Sequence, residues 1–300
     1  MPVATANGIE LAYEVLGEPD APAVLLVMGL GMPAAMWPDA FIHGLLGRGL
    51  RVVTFDNRDC GRSSRLQGER VPNMPAAIAR ALLRMKVTAP YTLSHMAADA
   101  AAVLDAAQIE RAHVVGVSMG GMIAQVLAAA QPQRVLTLTS IMSSSGNPRP
   151  RVALGKRRAL KALLKTPPGD GTDIAAVVDH LMFVFGVIGS PGYRQDEVLL
   201  RAHLERVARQ GLYPAGTARQ LAAILASGDR RRLLREVVAP TLVIHGADDP
   251  LVPVAAGRDT AAHIPAARLE VIPGMGHDFP PDLMTQVAAR VAEHCLTPAA

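Results

Sequence analysis

The chain has 300 residues, of which 50% are apolar and 19% charged, and its formal net charge is +4. This is the composition of a globular protein with ample material for a core, and it excludes a disordered or fibrous chain. Only 3% of the residues are aromatic, so nucleic-acid binding through stacked bases is not expected. The length is typical of about two domains, or of one α/β domain with an insertion.

Short apolar segments of strand length alternate with helical segments along most of the chain. In chain order, the predicted strands cover residues 9–15, 23–28, 51–55, 113–117, 135–142, 241–245 and 269–272. The predicted helices cover residues 41–46, 94–107, 121–130, 254–263 and 283–295. Because continuously apolar strands separated by helices are typical of parallel sheets covered on both faces, we predict an α/β fold with a mostly parallel central sheet.

The middle of the chain breaks this alternation. Residues 147–228 show helical patterns without a convincing strand, and residues such as Pro148, Pro167 and Gly169 interrupt them. We therefore predict that residues 147–228 form a helical cap, which is inserted into a core made of residues 1–146 and 229–300.

The strongest chemical signal is the segment GVSMG at 116–120, which lies between a predicted strand and a predicted helix. A glycine two positions before and two positions after a serine permits a sharp turn that exposes the serine hydroxyl. The N-terminus of the following helix favours negative charge that develops beside it. These features predict that Ser118 is a nucleophile.

A serine nucleophile needs a base, and the base needs an acid that orients it. His277 follows the last predicted strand in a glycine-rich loop and is the best placed of the nine histidines. The acid is Asp248 or Asp249, both of which follow the preceding predicted strand. An acid after the strand that follows Ser118 is excluded, because residues 135–168 contain no Asp or Glu. The chain order serine, acid, histidine is that of one hydrolase scaffold and differs from two protease orders.

The oxyanion that forms during attack on a carbonyl group needs two backbone N–H donors. We expect one donor at Met119, the residue after the nucleophile. We expect the other at Leu30, in the loop MGLG at 28–31 that follows a predicted strand. Gly29 and Gly31 allow this backbone to approach the reacting carbonyl group closely.

Five motifs follow one another in a specific order. They are VMGLG at 27–31, FDNRDCGRS at 55–63, GVSMGG at 116–121, HGADDP at 245–250 and IPGMGH at 272–277. Together they resemble the α/β-hydrolase fold serine esterases, in particular the aclacinomycin methylesterase group and related bacterial carboxylesterases. The resemblance covers residues 1–145 and 229–297. It implies the α/β-hydrolase fold, it selects Asp249 as the acid because the family's acid directly precedes the proline, and it likewise places an oxyanion donor at Leu30.

The sequence thus predicts a carboxylesterase-type serine hydrolase with Ser118 as nucleophile, His277 as base and Asp249 as orienting acid. The expected substrate is a small-molecule ester, and the chemistry needs neither a metal nor an organic cofactor. An acyltransferase or a carbon–carbon bond hydrolase on the same scaffold stays open, as does a non-catalytic ligand receptor. The oligomeric state stays open as well.

The remaining features bear on the location of the protein. Two cysteines, Cys60 and Cys295, are too few for a disulfide framework or a four-ligand zinc site. We find no signal peptide pattern at the N-terminus and no apolar run of the length that spans a bilayer. We therefore expect a cytoplasmic protein without integral membrane association or a nucleic-acid partner. Cys60 has no partner base in the sequence pattern, and we do not expect it to take part in the chemistry.

Overall fold

The computed structural model describes residues 1–165 and 173–297. Its strands are β1 (Val3–Ala6), β2 (Ile9–Leu16), β3 (Ala23–Val27), β4 (Arg51–Phe55), β5 (Ala112–Val117), β6 (Val135–Ile141), β7 (Thr241–Gly246) and β8 (Arg268–Ile272). They form one sheet in the order β1-β2-β4-β3-β5-β6-β7-β8. The pairs β1–β2 and β2–β4 are antiparallel and the other neighbouring pairs are parallel, so the prediction of a mostly parallel α/β sheet is confirmed.

Helices cover both faces of this sheet. They are α1 (Asp39–Leu46), α2 (Met74–Leu82), α3 (Leu93–Ala106), α4 (Met119–Ala130), α5 (Pro150–Ala153), α6 (Arg157–Leu164), α7 (Ile174–Ile188), α8 (Glu197–Arg209), α9 (Pro214–Ser227), α10 (Arg231–Leu234), α11 (Val254–His263) and α12 (Pro281–Leu296). In the part of the chain that the structure describes, no helix is long and apolar enough to cross a membrane.

The central strands are apolar throughout because both of their faces are buried. In β3, Leu25 and Val27 pack into one cluster with α3 and α4, whereas Val24 and Leu26 pack into a second cluster with α1 and α12. All four side chains are fully buried, and each contributes about 1.5–3 kcal/mol to the free energy of unfolding. A strand buried on both faces loses the alternation of a half-buried strand, which explains the continuous apolar runs of the sequence.

The connection from β6 to β7 is helical. Helices α5 to α10 lie in it, and none of its described residues belongs to a strand. Apolar side chains of α7 and α8 join the second buried cluster, with Val177, Leu181 and Val207 among them. The division into a core and a cap at residues 147–228 stays a prediction. The predicted interruptions at Pro167 and Gly169 lie outside the described residues.

Strand β1 and helix α2 are among the elements that were not predicted from the sequence. Strand β1 pairs with β2 through a two-residue turn at Asn7 and Gly8, whose φ angles are 50° and 78°. An Asn-Gly pair is a strong hairpin signal, because both positions of this turn need a positive φ. Helix α2 begins after Asn73, whose side chain accepts a hydrogen bond from the backbone N–H of Ala76 at 3.1 Å. Both elements could therefore have been predicted from the residues beside them, the Asn7-Gly8 turn and the helix-capping Asn73.

Candidate active site

Ser118 lies on a strained turn between β5 and α4. Its φ is 53° and its ψ is −120°, a conformation that costs a non-glycine residue about 1–3 kcal/mol. The turn closes only because its flanking residues lack side chains. A Cβ added at Gly116 would lie 2.2 Å from the carbonyl oxygen of Gly120, and one added at Gly120 would lie 2.0 Å from that of Val27. The glycines thus allow the chain to fold back and leave the Ser118 hydroxyl partly accessible.

The three predicted side chains meet at the carboxyl edge of the sheet. Ser118 follows β5, Asp249 follows β7 and His277 follows β8, and parallel strands end at the same edge. Nε2 of His277 lies 3.1 Å from Oγ of Ser118, and Nδ1 of His277 lies 2.7 Å from Oδ2 of Asp249. Asp249 and His277 are both buried, so water competes little for these hydrogen bonds.

The carboxylate of Asp249 is held ionised. Its Oδ1 accepts hydrogen bonds from the backbone N–H groups of Leu251 and Val252, both at 2.8 Å. Burial acts to raise the pKa of Asp249, but the positive charge and hydrogen bond that His277 supplies, helped by His245 and these N–H groups, outweigh burial and lower the pKa. An ionised Asp249 places the proton of His277 on Nδ1. Nε2 is then free to accept the proton of Ser118.

The neighbouring aspartate has a different partner. The exposed carboxylate of Asp248 accepts a hydrogen bond from the backbone N–H of Gly274 at 2.9 Å. It therefore binds the loop that carries His277 without contacting the imidazole. Asp248 and Asp249 were both candidates for the orienting acid, and Asp249 is the one that contacts His277.

The loop after β3 passes directly beside Ser118. A Cβ added at Gly29 would lie 3.4 Å from Cβ of Ser118. The backbone N–H of Gly31 donates to Oε1 of Gln220 at 2.7 Å. Within residues 1–165 and 173–297, the backbone N–H groups of Leu30 and Met119 donate to no protein acceptor. Two N–H groups near Ser118 could therefore donate to an oxyanion.

A second loop forms hydrogen bonds with the backbone of the loop after β3. Oδ1 of Asp56 accepts from the N–H of Ala34 at 2.6 Å, and Nδ2 of Asn57 donates to the carbonyl oxygen of Met28 at 3.0 Å. The FDNRDCGRS motif at 55–63 thus fixes both ends of the loop after β3. Burial raises the pKa of the Cys60 thiol in this motif, so Cys60 is not a thiolate nucleophile.

Gln220 is a site residue that the sequence analysis missed. Its Nε2 donates to the carbonyl oxygen of Arg58 at 2.7 Å, and the side chain is fully buried. The preceding residue, Arg219, is also buried and donates two hydrogen bonds to the carboxylate of Asp59, at 2.8 and 2.7 Å. Both residues lie on α9, where no local pattern marks them. Their contacts depend on how α9 packs against loops that are more than 150 positions away in the chain.

Among the residues that the structure describes, no group of three or more His, Cys, Asp or Glu side chains is arranged to hold a metal.

The sheet order, the strained turn at Ser118 and the acid–histidine pair at the same edge define the class of the α/β hydrolases. A family model described as the alpha/beta hydrolase fold matches residues 22–182 and 195–282. The chain belongs to the alpha/beta hydrolase fold family. The resemblance inferred from the motifs is confirmed.

Several relatives match nearly all of the chain. Rhodomycin D methylesterase DnrP of Streptomyces peucetius is 30% identical over 97% of this chain and 96% of its own length. 3-Oxoadipate enol-lactonase 2 of Acinetobacter baylyi is 28% identical over 89% of this chain and 86% of its own length. The crystal structure of the enol-lactonase from Burkholderia xenovorans LB400 superposes with a TM-score of 0.67 and 25% identity, and covers 97% of this chain and 99% of that one. The chain is an esterase-type hydrolase, as predicted.

Proposed function

We propose that the protein is a carboxylesterase that hydrolyses small-molecule esters through an acyl-enzyme on Ser118. The observation that carries the proposal is the unbroken chain of hydrogen bonds from Asp249 through His277 to Ser118, at 2.7 and 3.1 Å. The N–H groups of Leu30 and Met119, which donate to no acceptor in the described part of the chain, support it further, because acyl transfer needs donors for a developing negative charge.

The proposed reaction has two halves. Nε2 of His277 takes the proton of Ser118 while Oγ attacks the ester carbonyl carbon, and the carbonyl electron pair moves onto oxygen. The N–H groups of Leu30 and Met119 stabilise this oxyanion, and Asp249 stabilises the imidazolium. The bond to the alcohol oxygen breaks, and the alcohol leaves with the proton that His277 returns. Water then attacks the acyl-enzyme by the same route, which releases the acid and the Ser118 hydroxyl.

The class of ester is proposed from the relatives. Rhodomycin D methylesterases match the chain over nearly its full length, which supports methyl esters of carboxylic acids as the first substrates to test. We further propose that residues 147–228 cap the site. A cytoplasmic location is supported by Cys60 and Cys295, which are both buried and unpaired.

Ester hydrolysis by the wild type and by Ser118→Ala tests the proposal. We expect the wild type to release free acid from p-nitrophenyl esters and from methyl esters. Ser118→Ala should lower kcat by at least about 10⁴-fold, because the variant lacks the hydroxyl that would form the acyl-enzyme. Equal rates for the two proteins would contradict the proposal. Transfer of the acyl group to an added alcohol, without free acid, would identify an acyltransferase instead.

A further inference from the structure

The loop that carries His277 is bound by the chain that follows α7. We call these two segments, residues 188–192 and 274–278, the loop clasp. The backbone N–H of His277 donates to the carbonyl oxygen of Ile188 at 2.8 Å. The N–H of Gly192 donates to the carbonyl oxygen of Gly274 at 2.9 Å. The predicted cap therefore contacts the backbone of the histidine itself.

Ser190 lies at the centre of the loop clasp. Its Oγ accepts a hydrogen bond from the backbone N–H of Gly276 at 2.8 Å, and its hydroxyl donates to Oδ1 of Asp278. One hydroxyl thus binds the residue before His277 and the residue after it. Ser190 and Asp278 are 8% and 4% exposed, so water cannot replace either partner without opening the clasp.

The two segments of the clasp touch at their backbones. A Cβ added at Gly276 would lie 2.3 Å from the carbonyl oxygen of Gly189, and one added at Gly192 would lie 2.6 Å from Cα of Gly274. No side chain separates the segments at these positions. A displacement of the chain after α7 is therefore transmitted directly to the backbone at His277.

The buried position of Asp278 is energetically unfavourable for a carboxylate. A buried carboxylate is stabilised best by a cation, as Arg219 stabilises Asp59. Within the described residues, no Lys or Arg forms an ion pair with Asp278, and burial raises its pKa. The neutral hydroxyl of Ser190 is its close partner instead. This hydrogen bond restrains the direction in which the chain leaves His277.

We propose that Ser190 and Asp278 are positioning residues, which set the imidazole of His277 at hydrogen-bonding distance from Ser118 Oγ. Neither residue touches the reacting atoms. The inference rests on the proposed function, because it assigns the placement of the same histidine. A misplacement of a catalytic group by about 1 Å can cost about 10²-fold in rate, so the loss of a hydrogen bond beside His277 should be measurable.

The test measures how fast a fluorophosphonate inactivates the protein, together with kcat and KM on a p-nitrophenyl ester. Ser190→Ala and Asp278→Ala should each lower the inactivation rate constant and kcat by about tenfold or more, with KM changed less than about twofold. Asp278→Asn keeps an oxygen that can accept from Ser190, and it should restore most of the rate. The double variant Ser190→Ala/Asp278→Ala should lose about as much rate as Ser190→Ala, because Ser190→Ala already removes the side-chain hydrogen bond that Asp278→Ala removes.

Ser227→Ala is the matched control. The Ser227 hydroxyl also joins two segments, since it accepts from the N–H of Leu93 at 3.0 Å and donates to the carbonyl oxygen of Ala223 at 2.7 Å. Neither of these partners belongs to the loop clasp. This variant should lose a similar amount of unfolding free energy and retain the wild-type inactivation rate. If Ser190→Ala fails to fold, the comparison of Asp278→Ala with Asp278→Asn decides the question.

The possible results of these measurements separate the positioning role of Ser190 and Asp278 from the proposed function. Wild-type rates in Ser190→Ala and Asp278→Ala, while the wild type itself reacts with the fluorophosphonate, would overturn the positioning role and leave the proposed function intact. Equal losses of rate in Ser190→Ala and Ser227→Ala would reduce Ser190 to a structural role. A wild type that does not react at all would contradict the proposed function itself.

Discussion

Oε1 of Gln220 accepts a hydrogen bond from the backbone N–H of Gly31 at 2.7 Å, across 189 positions of the sequence. The same amide donates to the carbonyl oxygen of Arg58, so both of its ends are bonded in a fully buried environment. Through this contact, α9 fixes the backbone next to Leu30. The proposed oxyanion donor is thus held in place by a helix of the segment between β6 and β7.

Gln220→Leu should therefore lower kcat by about 10–100-fold, since the N–H of Leu30 is no longer held toward the reacting carbonyl group. The unfolding free energy should fall by about 1–3 kcal/mol, because the N–H of Gly31 is left buried without a partner. Gln125→Leu is the matched control, since Gln125 is equally buried but bonds to Ser140. Ester kinetics and urea unfolding of both variants check the prediction. Equal loss of kcat in the two variants would contradict it.

The adjacent acids Asp248 and Asp249 give a second comparison. Asp249→Asn should lower kcat by about 10⁴-fold, because an amide at this position favours the wrong tautomer of His277. Asp248→Asn keeps an oxygen that can accept from Gly274 and should leave kcat at the wild-type order of magnitude. Steady-state kinetics on one ester decide between them. A larger loss in Asp248→Asn would show that the acid has been assigned to the wrong residue.

Two glycines should respond in opposite ways to the same substitution. Gly116→Ala places a Cβ 2.2 Å from the backbone oxygen of Gly120, so the turn at Ser118 must shift and activity should be lost. Gly186 lies on an exposed face of α7 and has no atom within 4 Å of an added Cβ. Gly186→Ala should raise the unfolding free energy by about 0.5–1 kcal/mol and leave activity unchanged. Thermal unfolding and ester kinetics measure both effects, and an active Gly116→Ala would be inconsistent with the strained turn.

The buried pair Arg219–Asp59 should make stability depend on pH in a specific way. Burial acts to raise the pKa of Asp59, but hydrogen bonds from Arg219, Leu66 and Tyr91 outweigh it and lower the pKa. The contribution of Asp59 to wild-type stability is therefore fully present above its ordinary pKa, and it is lost only as pH falls through the lower folded-state value. Arg219→Met leaves the carboxylate buried without its cation and should cost about 3–5 kcal/mol at pH 7.

The loss of unfolding free energy in Arg219→Met should become smaller as pH falls from 7 to about 5. The unpaired Asp59 of the variant can take up a proton in this range, while Asp59 of the wild type stays ionised. Arg231→Met is the control, since the partly exposed pair Arg231–Asp229 should contribute less than about 1 kcal/mol. Urea unfolding at several pH values provides the free energies. A cost for Arg219→Met that is small or constant across this range would be inconsistent with a buried, ionised pair.

How far the sequence predicts the site depends on where each residue lies. Ser118, Asp249 and His277 each lie within five residues of the end of a strand, in loops whose glycine and proline patterns are local. Local patterns also predicted the loop of Leu30, because a glycine on either side marks a backbone that needs close approach. All of these residues belong to segments that end at one edge of the sheet, so the topology of the strands brings them together.

Gln220, Ser190 and Asp278 could not be found in this way. Gln220 and Ser190 lie in the segment between β6 and β7, where no motif matched, and their contacts arise from helix packing over long chain separations. Asp278 stands next to His277, but only its burial and its bond to Ser190 distinguish it from an ordinary loop residue. Strand β1 is a different case, since the Asn7-Gly8 turn was visible in the sequence and predicts the hairpin.

The proposed function depends above all on activation of the Ser118 hydroxyl by His277 and Asp249. The most direct measurement is the intact mass of the protein after treatment with a fluorophosphonate, followed by mapping of the modified peptide. We expect one adduct on the peptide that contains Ser118 in the wild type and none in Ser118→Ala. An unmodified wild type, or an adduct on a different residue, would contradict it.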